Sequence, residues 1–328
     1  MKSRREPQLH LSIYIRPEAD RQELDFVRQL GVTHVYTWVR DDQIQVPALR
    51  SLREQVEDAG LVLYNVGHFG IAKNDRIHLA LPGREEAFDR FRLFVHALGE
   101  AGIHLTTFTW EPTQVWSTGV APRDEARSAL ARFVDMEEVA SRPFTHGRAY
   151  TREEIWDNYT WFITRILPEA ETAGVRLALH PNDPPAPVYG GVPSLIHSAA
   201  DFRRAFETAG GHASLGMEFC TGCWLEGGAA FGNVLENLRE FIEARRVRIV
   251  HFRNVSAPMP RFSETFLDNG YMDMYKIMRL LVNSGYDGTV TLDHTPNFPA
   301  AYNTGTGTAY AIGYMRALLQ RALEDTAT

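Results

Sequence analysis

Short runs of β-branched and aromatic residues recur along this chain, and a longer amphipathic segment separates each run from the next. Such runs predict strands, and the amphipathic segments predict helices. The predicted strands are residues 10–15, 32–39, 61–66, 104–110, 175–180, 213–219, 247–253 and 288–292. The predicted helices include residues 46–59, 84–101, 150–173, 199–208, 231–244 and 273–284. This alternation is typical of an α/β protein with a parallel sheet.

Glycines end several of the predicted helices. Gly60, Gly102, Gly174 and Gly285 each stand between a helical segment and a strand, where a left-handed residue terminates a helix at little cost. These junctions indicate parallel strands joined by right-handed crossovers. Eight predicted parallel strands favour a closed (β/α)8 TIM barrel over an open doubly wound sheet. No GxGxxG follows the first strand, which argues against a dinucleotide-binding sheet.

One barrel accounts for the length of the chain. Single barrels occupy about 250 residues plus insertions, so we predict one catalytic domain over residues 1–328. Residues 111–148 break the alternation with scattered prolines and glycines, and we interpret them as a long loop inserted after strand 4. Such loops lie at the C-terminal face of a barrel and can form a lid or substrate wall. The alternative is a surface excursion with its own small core of Trp116, Phe133 and Phe144.

The charge pattern excludes several classes of partner. The net charge is -7, and no Lys/Arg-rich run offers a footprint for nucleic acid or an anionic membrane. No apolar stretch reaches the roughly 18 residues of a membrane span, and the N-terminal stretch lacks the features of a signal peptide. We therefore expect a cytoplasmic enzyme that acts on a small molecule, and a homo-oligomer is compatible with these features.

Four residues with metal-binding side chains stand at the ends of the last four predicted strands. They are His180, Cys220, His251 and Asp293. Neighbouring strand ends in a barrel lie about 5 Å apart, so these side chains can converge on one ion. Two imidazoles, a thiolate and a carboxylate suit Mn, Fe, Co or Zn, and suit calcium and magnesium poorly. Each residue alone is more often structural, but packing would select Val, Ile or Leu at such positions.

Two residues near these ligands are candidates for acid or base chemistry. His294 directly follows Asp293, and its imidazole could face a bound substrate. Tyr310 stands at the start of the last predicted helix and offers a phenol toward the same rim. Cys223 could pair with Cys220 as a redox CxxC, but that motif requires a thioredoxin-like setting, and we interpret Cys223 as a passive neighbour.

Four further polar residues are candidates for substrate binding. Arg253 and Asn254 follow His251 and are suited to a carboxylate or to hydroxyls. Asn182 and Asp183 lie in a run that three prolines stiffen, which could hold polar side chains in place. A plain rigid turn is the alternative interpretation of that run.

Long motifs surround these residues: ALHPNDPPAPVYGGVPSLI, GMEFCTGCW, VHFRNV followed by FSETFLDNGYMDM, and DGTVTLDH followed by AYAIGYMRAL. They resemble the motifs of the mannonate dehydratases, a family of the xylose-isomerase-like barrels. The resemblance is densest from Tyr150 onward. It implies that the His of HPxDPP, the Cys of FCTG, the His of VHFR and the Asp of the DH pair bind Mn²⁺ or Fe²⁺. In this sequence those are the same four candidate ligands. The resemblance also implies that catalysis uses the His of DH and the Tyr before AIG, here His294 and Tyr310.

The sequence departs from the family at positions that concern the substrate. Family members usually read RPDHG where this chain has TLDHT at 291–295, so an arginine is missing. They also carry a DWTRT-like stretch where this chain reads QVWSTG, and Ser263 stands where the family has a His. The resemblance therefore bears more firmly on the metal than on the identity of the sugar acid.

The resemblance implies a hydro-lyase of hexuronate catabolism that converts a sugar acid such as D-mannonate to 2-keto-3-deoxy-D-gluconate. An isomerase or epimerase of the same superfamily is the alternative, although those enzymes generally use Glu and Asp ligands. A non-catalytic sugar-acid-binding protein is the alternative of another class. The intact ligand set and both acid/base candidates argue against it.

Overall fold

Eight parallel strands form a barrel in the computed structural model, which describes residues 9–302 and 305–326. The barrel strands are His10–Tyr14, His34–Trp38, Val62–Gly67, Leu105–Thr109, Arg176–His180, Leu215–Cys220, Val247–Phe252 and Thr289–Leu292. We number them strands 1 to 8. Strands that follow one another along the chain lie side by side, and strand 8 pairs with strand 1. The predicted fold is confirmed.

Strands 3 and 4 complete the barrel. The hydrogen-bonded order of the sheet runs from strand 3 through strands 2, 1 and 8 round to strand 4. Across the seam between its two ends, Asn65 donates a hydrogen bond from Nδ2 to Thr107 Oγ1 at 3.0 Å. The barrel is therefore nearly closed, with a side-chain bond at the junction.

One long helix follows each strand and packs outside it. These helices are Arg21–Gln29, Val46–Asp58, Arg84–Glu100, Arg152–Ala173, Ala199–Thr208, Val234–Glu243, Met274–Asn283 and Thr306–Thr326. Additional helices span Phe69–Ala72, Asp75–His78, Met136–Ala140 and Thr221–Phe231. Gly60, Gly102, Gly174 and Gly285 all have positive φ, as the junctions predict. Arg152–Ala173 begins with a capping box between Thr151 and Glu154.

Two predicted helix starts are wrong. The helix predicted over 231–244 begins at Val234, because Phe231 is the last residue of the preceding helix and Gly232, at φ 137°, turns the chain before Asn233 caps Val234–Glu243. Tyr310 does not start the last helix, which begins one turn earlier at Thr306. Tyr310 therefore lies within regular helix rather than at its end.

Aromatic side chains fill the layer between the barrel and its helices. Phe91 and Phe162, from the helices after strands 3 and 4, meet edge to face with ring centroids 5.0 Å apart. Trp110, which follows strand 4, packs on Tyr159 at 5.4 Å. Such buried rings contribute most of the area that stabilises the fold. They also fix the end of strand 4, from which the inserted segment departs.

The segment at residues 111–148, which we predicted as a long loop after strand 4, contains regular strands. Strands Gly119–Arg123 and Ala129–Asp135 form an antiparallel hairpin. The second of these pairs with Arg261–Thr265, which follows strand 7 and also pairs with Asn254–Val255. The hairpin is thus part of a four-stranded sheet at the C-terminal face of the barrel. Its alternating run ALARFVD was the available signal, which the prolines of the same segment obscured.

The small core under this sheet also differs from the expected one. Trp116 belongs to it, together with Val134, Phe262 and other buried residues. Phe144 does not, because 57% of its surface is exposed. Neighbouring residues of a strand point to opposite faces, so Phe133 lies opposite the buried Val134.

None of the helices within 9–302 and 305–326 combines the length and the apolar composition that a membrane crossing requires. The first eight residues, which belong to the stretch where we expect no signal peptide, lie outside the described residues.

Candidate active site

Three of the four predicted ligands meet at the C-terminal rim of the barrel. One ligand atom from each of His180, Cys220 and His251 lies within 4.8 Å of the other two. The sheet register explains the meeting, since Cys220 at the end of strand 6 lies opposite His251 in strand 7. His180 ends strand 5, and its ring centroid is 5.4 Å from that of His251.

Asp293 adds a carboxylate to this group. It directly follows strand 8 and is almost fully buried. Its Oδ2 lies 3.8 Å from Cys220 Sγ, and its Oδ1 lies 3.6 Å from His251 Nδ1. Burial alone would raise the pKa of Asp293, but His294, His251 and Arg253 hold it well below its ordinary value. The fourth predicted ligand is therefore adjacent to two of the others and ionised.

Cys220 is held as a thiolate by its surroundings. Burial alone would raise the pKa of its thiol, but hydrogen bonding to Cys223 and the charge of Arg253 hold the pKa well below its ordinary value. Arg253 Nη2 lies 3.6 Å from Cys220 Sγ. The backbone N–H of Cys223 points at the same sulfur from 3.5 Å, at the start of helix Thr221–Phe231. A thiolate is the form of cysteine that binds metals.

One ring nitrogen of His251 is available to bind a metal ion. Its Nε2 contacts the buried carboxylate of Glu218. Its Nδ1 is buried, faces Asp293, and has no hydrogen-bond partner among the described residues. Burial alone would lower the pKa of His251, but Glu218 and Asp293 raise it well above its ordinary value. Surroundings that favour an imidazolium also favour a divalent cation, so the donor set fits a metal.

His294 lies next to this group and is half exposed. Its Nε2 is 3.0 Å from Asp293 Oδ1, and its Nδ1 is 2.9 Å from Glu264 Oε1. Partial burial alone would lower the pKa of His294, but Asp293 and Glu264 raise it to about 10. The structure therefore presents a protonated imidazole beside the candidate metal ligands and open to the rim.

Tyr310 lies in a separate hydrogen-bonded group. Its hydroxyl donates to Asp268 Oδ2 at 2.7 Å and accepts from Arg127 Nη1 at 3.2 Å. Arg127 stands in the turn of the inserted hairpin, with φ 55°. These bonds join the hairpin to the last helix. Tyr310 is 39% exposed, so its ring also faces solvent.

Arg253 is completely buried, with 0% of its side chain exposed. Its guanidinium lies 2.7 to 3.2 Å from four carboxylates, those of Asp183, Glu226, Glu264 and Asp293. Arg132, from the inserted hairpin, lies behind it and contacts Asp183 at 2.8 Å and Glu264 at 3.0 Å. Arg253, which we predicted to bind substrate, therefore contacts protein groups on every side.

The other three predicted substrate-binding residues also have protein partners. Asp183 accepts hydrogen bonds from Arg132 and Arg253, and although burial would raise its pKa, these two arginines hold it well below its ordinary value. Asn182 donates to the carbonyl of Trp110 and accepts from Ile196 N. Asn254 donates from Nδ2 to the carbonyls of Leu267 and Met272. These contacts hold the loops around the site in place.

Several charged residues of the site escaped sequence reasoning. They are Glu218, Glu226, Glu264, Arg132, Glu111 and Lys73, and all are buried or nearly so. Lys73 Nζ pairs with Glu111 Oε2 at 2.7 Å, and Glu111 Oε1 accepts a hydrogen bond from Asp183 N at 2.6 Å. Glu264 and Glu226 stand in or beside the quoted motifs. For Arg132 the signal was hidden, because its strand was predicted as loop.

Removing the charge of Arg253 should destabilise the protein strongly. Arg253→Met leaves four buried carboxylates without their shared cation, and breaking a buried pair in this way costs about 3–5 kcal/mol. Urea denaturation measures the effect. The control is Arg261→Met, whose side chain is 66% exposed and pairs with Asp135 and Glu137. That variant should stay close to the wild type. Equal stability of the two variants would contradict a structural role for Arg253.

Comparison with known proteins gives a consistent set of matches. The family model for D-mannonate dehydratase (UxuA) matches residues 131–327, which is more than half of the chain. A mannonate dehydratase of Enterococcus faecalis is 28% identical over 314 residues, covering 84% of this chain and 86% of the relative. One of Lactococcus lactis subsp. lactis is 24% identical over 354 residues, covering 92% and 96%.

Solved structures share the fold. The mannonate dehydratase from Streptococcus suis serotype 2 superposes with a TM-score of 0.84 at 21% identity, covering 97% of this chain and 96% of that chain. An L-ribulose 3-epimerase superposes with a TM-score of 0.61 at 15% identity, covering 97% of both chains. At these identities the likeness is evidence for the fold alone.

Proposed function

We propose that this chain, which belongs to the D-mannonate dehydratase family, converts D-mannonate or a close aldonate analogue to a 2-keto-3-deoxy acid. The chain is a sugar-acid dehydratase, and therefore a lyase of the hydro-lyase class. The proposal rests on one observation. Two imidazoles, a cysteine with a lowered pKa and a carboxylate lie close together at the barrel rim.

The residues that would hold the metal are His180, Cys220, His251 and Asp293, and the ion would be Mn²⁺ or Fe²⁺. The Nδ1 of His251 supports this assignment. It has no hydrogen-bond partner within residues 9–302 and 305–326, and a buried ring nitrogen in that state is costly unless a metal or another ligand satisfies it. When bound, such an ion supplies Lewis-acid polarisation of the hydroxyl and carboxylate oxygens of the substrate.

Dehydration of an aldonate requires two proton transfers. One group takes the proton from C2, and another protonates the C3 hydroxyl as it leaves as water. The resulting enol then rearranges to the 2-keto acid. We assign the two transfers jointly to His294 and Tyr310. The raised pKa of His294, which follows from its place between Asp293 and Glu264, favours it as the proton donor.

The four predicted substrate-binding residues would then act on the substrate indirectly. Arg253 and Asp183 form part of the buried charge network that places Asp293 and Glu264. Asn182 and Asn254 bind backbone groups and hold the segments that follow strands 5 and 7. Preorganised supports of this kind keep reacting groups in position, and small displacements of such groups reduce rates strongly.

Keto-acid formation tests the proposal. The purified protein is stripped with a chelator, reloaded separately with Mn²⁺, Fe²⁺, Mg²⁺ or Ca²⁺, and incubated with a panel of aldonates and uronates under anaerobic conditions. We expect 2-keto-3-deoxy product, detected by ultraviolet absorption, with D-mannonate as the best substrate. Stripping should lower turnover by at least about 100-fold, the scale of lost transition-state stabilisation when a metal is removed. Mn²⁺ or Fe²⁺ should restore it, and Mg²⁺ and Ca²⁺ should not.

Three outcomes would contradict the proposal. Undiminished turnover by protein that retains no transition metal would exclude the metal site. Binding of a sugar acid without any product would favour a non-catalytic sensor. Interconversion of sugars in place of dehydration would favour the isomerase or epimerase alternative.

A further inference from the structure

Glu218 is a buried carboxylate that the mechanism above does not use. It stands in strand 6, two residues before Cys220, so both side chains point to the same face of the strand. Only 2% of Glu218 is exposed. Apolar branched residues dominate the inward positions of barrel strands, and burying an ionised carboxylate is unfavourable unless a partner compensates it. Its presence at this position therefore requires an explanation.

The ion-pair partner of Glu218 within the described part of the chain is His251. The carboxylate Oε1 contacts His251 Nε2. The other buried carboxylates of this region, those of Asp183, Glu226 and Glu264, lie beside arginines, whereas Glu218 contacts an imidazole. Glu218 thus lies against the ring nitrogen of His251 that is turned away from Asp293.

The two ring nitrogens of His251 have different surroundings as a result. A neutral imidazole carries its proton on one nitrogen, and the hydrogen bond to a carboxylate selects that nitrogen. With the proton held on Nε2 by Glu218, the lone pair is on Nδ1. This nitrogen is buried, accepts no hydrogen bond from the described part of the chain and lies 3.6 Å from Asp293 Oδ1.

His180 shows the same arrangement with a different partner. Its Nδ1 lies 2.6 Å from the carbonyl oxygen of Pro181, so the proton stays on Nδ1 and Nε2 keeps its lone pair. The backbone supplies the acceptor for one imidazole, and Glu218 supplies it for the other. The two rings are therefore fixed in opposite tautomers by groups behind them.

We propose that Glu218 is a positioning residue that holds His251 with its proton on Nε2 and its Nδ1 toward the metal, an inference that rests on the proposed metal site. A carboxylate behind a ligating imidazole fixes the ring and raises its basicity, and losing such a partner weakens metal binding about 10- to 100-fold. Glu218 lies inside the motif GMEFCTGCW, but the sequence alone indicated no role for it.

Cobalt titration tests the proposal. Co²⁺ is added to chelator-stripped protein, and Kd and the visible ligand-field and thiolate charge-transfer bands are recorded. Glu218→Leu should weaken Co²⁺ binding about 10- to 100-fold. Glu218→Gln keeps an acceptor for the Nε2–H of His251 but loses the negative charge. This variant should weaken Co²⁺ binding at least about fivefold, because a carboxylate partner raises the basicity of the ring. In both variants the ligand-field bands should shift, because the ring of His251 is less firmly held, and the thiolate band should persist.

The matched control is Glu169→Gln. Glu169 contacts His96 Nε2 at 2.7 Å, so it forms the same kind of pair between two outer helices, away from the strand ends. This variant should bind Co²⁺ like the wild type. The Glu218→Gln variant could be as thermally stable as the wild type and bind Co²⁺ with the wild-type Kd and spectrum. That result would overturn the role of Glu218 and leave the metal site standing. If the wild type itself binds no Co²⁺, the proposed metal site fails.

Discussion

Cys220→Ser is expected to weaken metal binding by at least about 100-fold and to reduce turnover to the background, because a neutral hydroxyl replaces a thiolate. The environment of Cys220 is arranged for an anion. Arg253 and the backbone N–H of Cys223 both point at its sulfur. A serine hydroxyl does not ionise there, so the site loses one negative charge as well as its soft ligand. Elemental analysis and the keto-acid assay, performed on one preparation, measure both effects.

Cys223→Ser is the control for this prediction. The backbone N–H of Cys223, which points at the Cys220 sulfur, stays in place, and a serine hydroxyl can donate the hydrogen bond that the Cys223 thiol gives to the same sulfur. Metal content and turnover should therefore change little. If both variants lose metal equally, the two cysteines act as a pair, and the assignment of Cys220 as the sole sulfur ligand is wrong.

The Cys223→Ser control matters because a second group of possible metal ligands includes Cys223. One ligand atom from each of Asp183, Cys223 and Glu226 lies within 4.8 Å of the other two. Arg253 Nη2, however, lies 2.9 Å from Asp183, 3.1 Å from Glu226 and 3.7 Å from Cys223. A guanidinium already neutralises this group and would repel a second cation. Arg253 also approaches the rim group, at Cys220 and Asp293, but that group adds the imidazoles of His180 and His251, and His251 Nδ1 has no hydrogen-bond partner among the described residues. We therefore propose the metal at the rim group and regard the group around Cys223 as structural.

His294→Asn should keep the metal and the fold while kcat falls by roughly 100-fold or more, the usual scale for a lost general acid or base. His294 is adjacent to Asp293 in sequence, but the two side chains have different surroundings. The side chain of Asp293 is buried against the other candidate ligands, whereas that of His294 is half exposed at the rim. An asparagine can bond to Glu264 but cannot transfer a proton. Steady-state kinetics with metal analysis of the same sample separate the two effects.

Asp293→Asn is the comparison for this second prediction. It should lower metal occupancy first, and its loss of turnover should follow the loss of metal. If His294→Asn converts the true substrate at the wild-type rate, His294 is only a neighbour of the ligands. The proton transfers would then belong to Tyr310 or to a group not named here.

The barrel and its rim residues were predictable because their signals are local. Each strand is a short apolar run, and each candidate metal ligand stands at or beside the C-terminal end of one. Parallel strands place their C-terminal ends together, so the order of His180, Cys220, His251 and Asp293 along the chain was enough to predict that they meet. The motifs from Tyr150 onward indicated the family, and the match of the family model over residues 131–327 confirms it.

The environment of these residues was not predictable in the same way. Arg253 follows His251 by two residues, and nothing local shows that it is enclosed by carboxylates from four other segments. Arg132 reaches the site from a hairpin that pairs with a strand more than 120 residues later. Glu218 was hidden for another reason, because a single Glu in a buried strand has no pattern that reveals its partner.

Anomalous diffraction from a crystal of the Mn²⁺-loaded protein locates the metal directly. We expect one strong peak per chain, within about 2.0–2.4 Å of ligand atoms of His180, Cys220, His251 and Asp293, as expected for bonds from a first-row ion to nitrogen, oxygen and sulfur. A peak among Asp183, Cys223 and Glu226, or no peak in fully loaded and active protein, would contradict the proposed metal site.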